Sequence, residues 1–255
     1  MSLNKYNVAV VGATGAVGEA LLEILAEREF PVETLYPLAS AQSQVDYVMF
    51  NNKRTAVLNL DSFDFSKVDY AFFVATDEVS QLYAPIAAEK GCMIIDNSSW
   101  FRMDADVPLV IPEINADVLA KPLTKNIVAN PNCSTIQMLV ALNAIHDAVT
   151  IRRIDVATYQ SVSGAGNKAI QELASQTAAL LSGQEAEVNT LPQQIAFNTV
   201  PHIGELHEDG YTSEEMKMHD ETRKIWQDSQ IMVNATAVRV PVFYGHSEAI
   251  HIETE

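Results

Sequence analysis

Residues 7–11, Asn-Val-Ala-Val-Val, form an apolar run suited to a strand covered on both faces. From 19 to 29 the spacing changes: Leu21, Leu22, Ile24 and Leu25 recur with helical period, and Pro31 stands beyond as a stop. Further strand-like runs are predicted at 34–39, 68–74, 93–95 and 126–129, with a hairpin turn at Asn51-Asn52. A helix is predicted over 81–90, closed by Gly91. Strands alternating with helices in this way predict an α/β fold, a Rossmann-type doubly wound sheet of mostly parallel strands.

After Ser134 the pattern changes. Residues 136–148 read as one long apolar helix, 153–160 as a strand and 169–181 as another helix. An amphipathic helix is predicted over 213–228, with Ser213 as its N-cap. Strands follow at 231–242 and 248–255. The mixture predicts a second, α+β domain beginning near Cys133, so the division expected is 1–132 and 133–255. The chain contains neither internal repeats nor a low-complexity tract.

At 255 residues and 48% apolar, the chain can bury two modest cores. It has no apolar run of about 18 residues, the length that reads as a transmembrane helix. The opening Met1-Ser2-Leu3-Asn4-Lys5 lacks the long apolar stretch of a secretory signal. The expectation is a soluble, cytoplasmic protein. Asp and Glu total 33 against 16 Lys and Arg, a net charge of −17. Such a charge repels nucleic acid and anionic membranes, and repels small anionic substrates too unless cations are focused at one site. The two cysteines do not suggest a disulfide framework. Cys92, inside Cys92-Met93-Ile94-Ile95-Asp96, reads as an inert buried side chain.

Gly12-Ala13-Thr14-Gly15-Ala16-Val17-Gly18 lies between the first strand and the first helix. Glycines there permit a tight turn and close approach of backbone N–H groups, and the helix N-terminus favours an anion. The spacing is G-x-x-G-x-x-G rather than the more familiar dinucleotide fingerprint, and plain turn-forming glycines are the alternative. NAD sites place a carboxylate near the end of the second strand. Here that place reads Ala39-Ser40-Ala41-Gln42-Ser43, which would not repel a 2′-phosphate. The cofactor expected is NADP, with Ser40 and Ser43 beside it.

Asn130-Pro131-Asn132-Cys133-Ser134-Thr135 lies between a strand and a long helix. That puts Cys133 at a helix N-terminus, where a thiolate is favoured and backbone N–H groups could hold an oxyanion. A buried structural cysteine is the alternative. Beside a dinucleotide loop, thiolate attack on a carbonyl followed by hydride transfer is the natural chemistry.

Taken together these segments resemble bacterial aspartate-semialdehyde dehydrogenase. The resemblance runs through Gly12 to Gly18, Ile95-Asp96-Asn97-Ser98 with Phe101-Arg102, and Asn130 to Thr135. It continues through Tyr159-Gln160-Ser161-Val162-Ser163-Gly164-Ala165-Gly166, Glu214-Glu215-Met216-Lys217, and Val238-Arg239-Val240-Pro241-Val242-Phe243-Tyr244-Gly245-His246. It implies NADPH-dependent reduction of 4-phospho-L-aspartate to L-aspartate 4-semialdehyde and phosphate, on the route to lysine, threonine and methionine. It implies Cys133 as nucleophile, His246 as general acid/base and Gln160 as a positioning group. Arg239 would take the substrate carboxylate, Glu214 its ammonium, and Arg102 and Lys217 the phosphate, with Asn132 a further phosphate contact. It also implies a homodimer.

Physical chemistry is consistent with these roles. Arg pairs bidentately with carboxylate or phosphate, and Glu214 and Lys217 are neighbours on one helix face. Arg239 and His246, seven apart, would face opposite ways on a straight strand, so a bend near Gly245 is required. His246 and His251 are poorly spaced for a metal, and none is expected; His146, His202, His207 and His219 read as surface or structural.

The chain departs from the family pattern in three places. Where relatives carry cations around the 2′-phosphate, it has Gln42 and Val45-Asp46. Where they carry a small turn after the third strand, it has Ala75-Thr76-Asp77, and Asp77 would repel the pyrophosphate. The family also continues past the position of Glu255, and without that part apolar surface should be exposed. Two further readings stand beside the main one. One is a related reductase of the N-acetylglutamyl phosphate type, against which Glu214 and Arg239 argue. The other is a non-catalytic binding or assembly protein, against which the retained Cys133, Gln160, Arg239 and His246 argue.

Overall fold

The structure, a computed structural model, describes residues 4–255; the expectation drawn from Met1-Ser2-Leu3 lies outside them. Two compact units divide after Pro131. Among the described residues no helix is long and apolar enough to cross a membrane.

The first unit runs β1 (Tyr6–Val11), α1 (Ala16–Glu27), β2 (Val32–Ala39), β3 (Tyr47–Phe50), β4 (Lys53–Ala56), β5 (Leu58–Asn59) and β6 (Tyr70–Phe73). It continues with α2 (Asp77–Glu89), β7 (Met93–Asp96), the one-turn α3 (Pro112–Asn115) and β8 (Ile127–Ala129). Six strands form one parallel sheet in the order β5-β2-β1-β6-β7-β8. β1 is central, and Val8, Ala9, Val10 and Val11 are all buried, as an uninterrupted apolar run requires. Val8, Val10, Leu22, Leu25 and Leu35 make the core between β1, β2 and α1. The chain leaves β1 first toward β2 and then toward β6 on its other side, so the order reverses beside β1. Parallel sheets bind ligands at such a reversal, beyond the carboxyl ends of the strands.

Asn51 and Asn52 both adopt positive φ, 48° and 60°, which matches a two-residue hairpin turn to the strand twist. Four helices begin earlier than their spacing predicts, α1 and α2 in this unit and, in the second, the helices starting at Cys133 rather than 136 and at Asn167 rather than 169. α1 begins at Ala16 rather than 19, because the glycine loop feeds straight into it, and α2 begins at Asp77 rather than 81.

The second unit runs α4 (Cys133–Val149), β9 (Ile151–Gln160), α5 (Asn167–Leu181), α6 (Ser213–Trp226), β10 (Met232–Arg239) and β11 (Ser247–Thr254). β9 is the middle strand, with β10 parallel on one side and β11 antiparallel on the other. Ile154, Val156, Ala235 and Ala237 are buried on one face, while Tyr159, Thr236 and Ala249 are exposed on the other. The cap of α6 is Thr212, not Ser213. Thr212 Oγ1 accepts from the Glu215 amide and Glu215 reaches back to the Thr212 amide, a capping box. β10 stops at Arg239 rather than 242, and Pro241 just beyond cannot donate to a strand ladder. The stretch from 183 to 212 has no long element. It is tied to α5 by Glu172, which accepts from the amides of Asn189, Thr190 and Leu191, and by Gln176, which accepts from Ile195 and Ala196.

Glu248 on β11 lies opposite Thr158 in register, and its buried Oε1 is without a hydrogen-bond partner. Burial pushes its carboxyl up to about 7 from an ordinary 4.5, with the Gln137 side chain pulling weakly the other way. The unfolded chain therefore loses this proton first as pH rises. Stability from this group is complete below 4.5 and is lost as pH climbs through about 7. Glu248→Gln, neutral at every pH, should melt higher than the parent at about pH 8, and this excess should be gone at about pH 4. Equal melting temperatures at both would show that the carboxyl is solvated.

Candidate active site

The chemistry of the second unit starts at Asn132, the N-cap of α4. Its Oδ1 accepts from the amides of Ser134 at 2.9 Å and Thr135 at 3.4 Å. Its Nδ2 donates to Glu214 Oε1 at 2.9 Å, and its own amide donates to Glu221 Oε2 at 2.6 Å. Besides the phosphate contact that the resemblance implies for Asn132, its side chain thus serves as the helix cap and as a donor to Glu214. The amides of Ser134 and Thr135 are taken by that cap.

Cys133 is the first residue of α4 and is exposed. The positive end of a 17-residue helix lies under its sulfur. Cys92 is the opposite case. Fully buried at the start of β7, its thiol is pushed up to about 12 by burial, with Asp69 adding to the shift. An alkylating reagent at neutral pH should therefore label the folded chain once, at Cys133, and mass spectrometry of the digest reads this directly. Label at Cys92 in folded protein would contradict the assignment.

Around Asn132 the other sequence-predicted residues of this unit come together. Gln160, the last residue of β9, donates Nε2 to Ser134 Oγ and to Glu214 Oε1 at 3.1 Å, while its own Oε1 is buried without a partner. Glu214 is buried near the start of α6, and Lys217 Nζ lies 3.5 Å from its Oε2. Burial alone would raise the Glu214 carboxyl, but Lys217, Asn132, Gln160 and Arg239 outweigh it and hold the group below its usual range. It stays ionised at neutral pH. Arg239, buried at the end of β10, donates Nη1 to the Ser161 carbonyl at 2.8 Å and feels the charges of Glu214 and Cys133.

His246 completes the group. Its Nδ1 accepts from the Ser161 amide at 3.0 Å, with Ser161 Oγ at 3.1 Å. A backbone N–H can only donate, so Nδ1 is an acceptor and the neutral ring carries its proton on Nε2. Burial and then the Arg239 guanidinium hold the imidazole below its ordinary value, which keeps it neutral near pH 7. The bend required between Arg239 and His246 is present. The chain leaves β10, crosses the end of β9 through amides of Val162 and Ser163 bonded to Val242 and Phe243, turns at Gly245 with φ +84°, and re-enters the sheet as β11. Gly164 lies against both side chains, and a Cβ there would sit 3.0 Å from Arg239 Nη1 and 3.6 Å from His246 Nε2. A small pocket of about 130 Å³ opens beside Arg239, lined also by Leu191, Val200 and His202.

Glu221 was not singled out from sequence. It had a signal: it shares a helix face with Glu214, Met218 and Ile225, so it is an acid on the buried stripe of an amphipathic helix. Among the described residues no group of three or more His, Cys, Asp or Glu side chains could hold a metal ion, and His251 lies exposed on β11.

In the first unit, a cleft of about 380 Å³ lies beyond the ends of β1, β2 and β6. Gly12, Thr14, Gly15, Ser40, Gln42 and Ser43 line it, together with residues 74–76. Gly15 caps α1 without any side-chain cap, which leaves the first-turn amides for an anion. Ala16 and Val17 form that first turn, Ala13 is buried in the core, and Gly18 packs on the Gly12 carbonyl. The cradle thus fits a dinucleotide, with Gly12, Thr14 and Gly15 facing it and Ala13 and Gly18 supporting it. No charged side chain lines the cleft. Asp77, expected to repel a pyrophosphate, is turned away: its carboxylate accepts from the amide and hydroxyl of Ser99 at 2.7 and 2.5 Å. Arg102, also in this unit, is buried, with Nε on the Ser98 carbonyl and Nη2 on that of Asn97, both at 2.9 Å.

Comparisons with known proteins agree with both halves. Residues 7–121 match the semialdehyde dehydrogenase NAD binding domain, and residues 142–255 the semialdehyde dehydrogenase dimerisation domain. Aspartate-semialdehyde dehydrogenase 2 of Vibrio cholerae is 59% identical over 250 residues, which cover 98% of this chain and 74% of that protein. The enzyme of Aquifex aeolicus is 52% identical, with 98% and 74% covered. A crystal structure of aspartate semialdehyde dehydrogenase II from Vibrio cholerae complexed with ASA superposes with a TM-score of 0.97 at 58% identity, over 99% of this chain and 75% of that one. A probable aspartate-semialdehyde dehydrogenase from Pseudomonas aeruginosa gives 0.93 at 34% identity, over 99% and 75%. With a nicotinamide-binding unit joined to a dimerisation unit that carries Cys133 on a capped helix, this chain belongs to the aspartate-semialdehyde dehydrogenase family.

Proposed function

We propose that the chain reduces 4-phospho-L-aspartate to L-aspartate 4-semialdehyde with NADPH, through a thioester on Cys133. The observation that carries this reading is the gathering of Gln160, Glu214, Arg239 and His246 in the unit where Asn132 caps the helix of an exposed Cys133. The Cys133 thiolate attacks the acyl carbon; a C–S bond forms, the C–O bond to phosphorus breaks and phosphate leaves. Bound NADPH supplies the hydride that reduces the thioester. The C–S bond then breaks, the aldehyde departs and the thiolate returns.

Arg239 takes the substrate carboxylate and Glu214 its ammonium, while Arg102 and Lys217 bind phosphate. Gln160 orients the reacting carbonyl. With the Ser134 and Thr135 amides occupied, we assign the Nε2–H of His246 as the donor to the tetrahedral oxyanion, the proton returning to Nε2 as the oxyanion collapses to the carbonyl and expels phosphate or the thiolate. NADP is favoured over NAD because Ser40, Gln42 and Ser43 line the cleft where an acid would repel a 2′-phosphate. We also propose a homodimer formed by the second unit, whose β10-β9-β11 sheet has an open face, and a cytoplasmic location, where a reducing environment guards the Cys133 thiol against oxidation.

The test runs the reaction backward. L-Aspartate semialdehyde, phosphate and NADP should yield NADPH by absorbance, at a rate that requires phosphate and exceeds the rate with NAD. Folded protein without phosphate-dependent turnover would overturn the proposal and favour a binding or assembly role.

A further inference from the structure

Cys133 sits on a residue that is held unusually firmly. Every backbone and side-chain polar group of Asn132 is engaged: Oδ1 caps the helix, the carbonyl accepts from Ile136 at 2.9 Å, Nδ2 meets Glu214, and the amide meets Glu221. The two carboxylates stand two turns apart on the same face of α6. Glu214 belongs to the proposed substrate site. Glu221 is 1% exposed, and it is an acid placed among Met218, Thr222 and Ile225, all buried. Burying a carboxylate there is costly unless its bonds are needed. One bond it makes, at 2.6 Å, falls on the amide immediately before the nucleophile.

We infer that Glu221 is a positioning residue for Cys133: by accepting from the Asn132 amide it fixes the start of α4, and so fixes the sulfur over the helix N-terminus. A loosened cap would let the first turn fray. The sulfur would then lose the aligned amide dipoles that favour its ionised form, because that influence fades within the first turn. Arg239 from β10 acts on Cys133 through its charge; Glu214 and Glu221 of α6 bond the residue before it, with Lys217 beside Glu214 and His246 held near Arg239 by Ser161. Removing Glu221 also removes a negative charge, which by itself would make the thiolate easier to form. The acceptor and the charge therefore predict opposite results, and a Gln variant separates them, since its amide oxygen still accepts.

The inference rests on Cys133 being the nucleophile, and its test needs neither cofactor nor substrate. The pH profile of alkylation of Cys133 by iodoacetamide would be recorded for the full chain and for Glu221→Gln and Glu221→Ala. Melting temperatures would be followed in parallel. Glu172→Ala, which removes another buried carboxylate that anchors a loop of the same unit, controls for lost stability. Glu221→Ala should shift the profile to higher pH by about one unit, so that alkylation at pH 7 slows about tenfold. Glu172→Ala should keep the parent profile, and Glu221→Gln should keep it or move it slightly to lower pH, since it retains the acceptor and loses only the charge. A Glu221→Ala profile that is unchanged, or moved to lower pH, overturns the positioning role, as does a Glu221→Gln profile displaced as far as that of Ala. A parent Cys133 no more reactive than a free thiol would instead sink its reading as nucleophile, a separate outcome.

Discussion

Replacing Cys133 by Ala should remove phosphate-dependent NADP reduction by a factor of about 10⁴ or more, with the melting temperature almost unchanged. Covalent catalysis splits one difficult displacement into two easier steps, and no neighbouring group can take over the C–S bond. Ser134 is adjacent, but its hydroxyl is buried and accepts from Gln160. The sulfur itself is exposed, so its loss should cost no more than about 0.5 kcal/mol of stability. Kinetics and calorimetry on the same preparation check both halves. Turnover retained within tenfold would mean that no thioester forms.

Gly18→Ala should have the largest effect in the first unit, although Ala is the better helix former. A Cβ at Gly18 would lie 2.3 Å from the Gly12 carbonyl oxygen and 2.7 Å from Ala13 Cα. Both are backbone atoms of the cofactor loop, so no side-chain rotation relieves the contact. Overpacking of this kind costs about 1–3 kcal/mol or more, and the loop must move away from the helix that supports it. We expect weaker NADP binding by fluorescence titration together with a lower melting temperature. Gly91→Ala is the contrast. Its φ is +86°, but nothing lies within 4 Å of its Cβ position, so the cost is conformational, about 1–2 kcal/mol, and NADP binding should be retained. Equal loss of NADP affinity in both variants would show that the cradle depends on stability rather than on close packing at Gly18.

Much of this architecture is legible in the sequence because it depends on local signals. The run Val8 to Val11 announces a strand buried on both faces, the glycines announce the cradle, and the Asn51-Asn52 pair announces its hairpin. The errors fall where a long-range contact decides. Ser213 looks like a cap, yet Thr212 is chosen, because Ser213 Oγ instead accepts from the Glu205 amide. Nothing local announces that two acids of α6 bond Asn132. Nor does anything local announce that Arg102 is buried on the carbonyls of Asn97 and Ser98 in the loop after β7. The segment from 183 to 212 shows no periodicity, because its order comes from Glu172 and Gln176 of α5 rather than from its own side chains.

The bond from Asn132 to Glu221 spans 89 residues, and that from Gln160 to Glu214 spans 54. Contacts so distant along the chain form late, because the intervening loop must close first. As the polypeptide emerges from the ribosome, α4 and β9 are made well before α6 exists. Until α6 docks, the first turn of α4 is held by the Asn132 side chain alone, without the bond to Glu221. With Glu221 positioning the sulfur as inferred above, the alkylation rate of Cys133 is a clock for folding: its rise in a refolding time course marks the docking of α6.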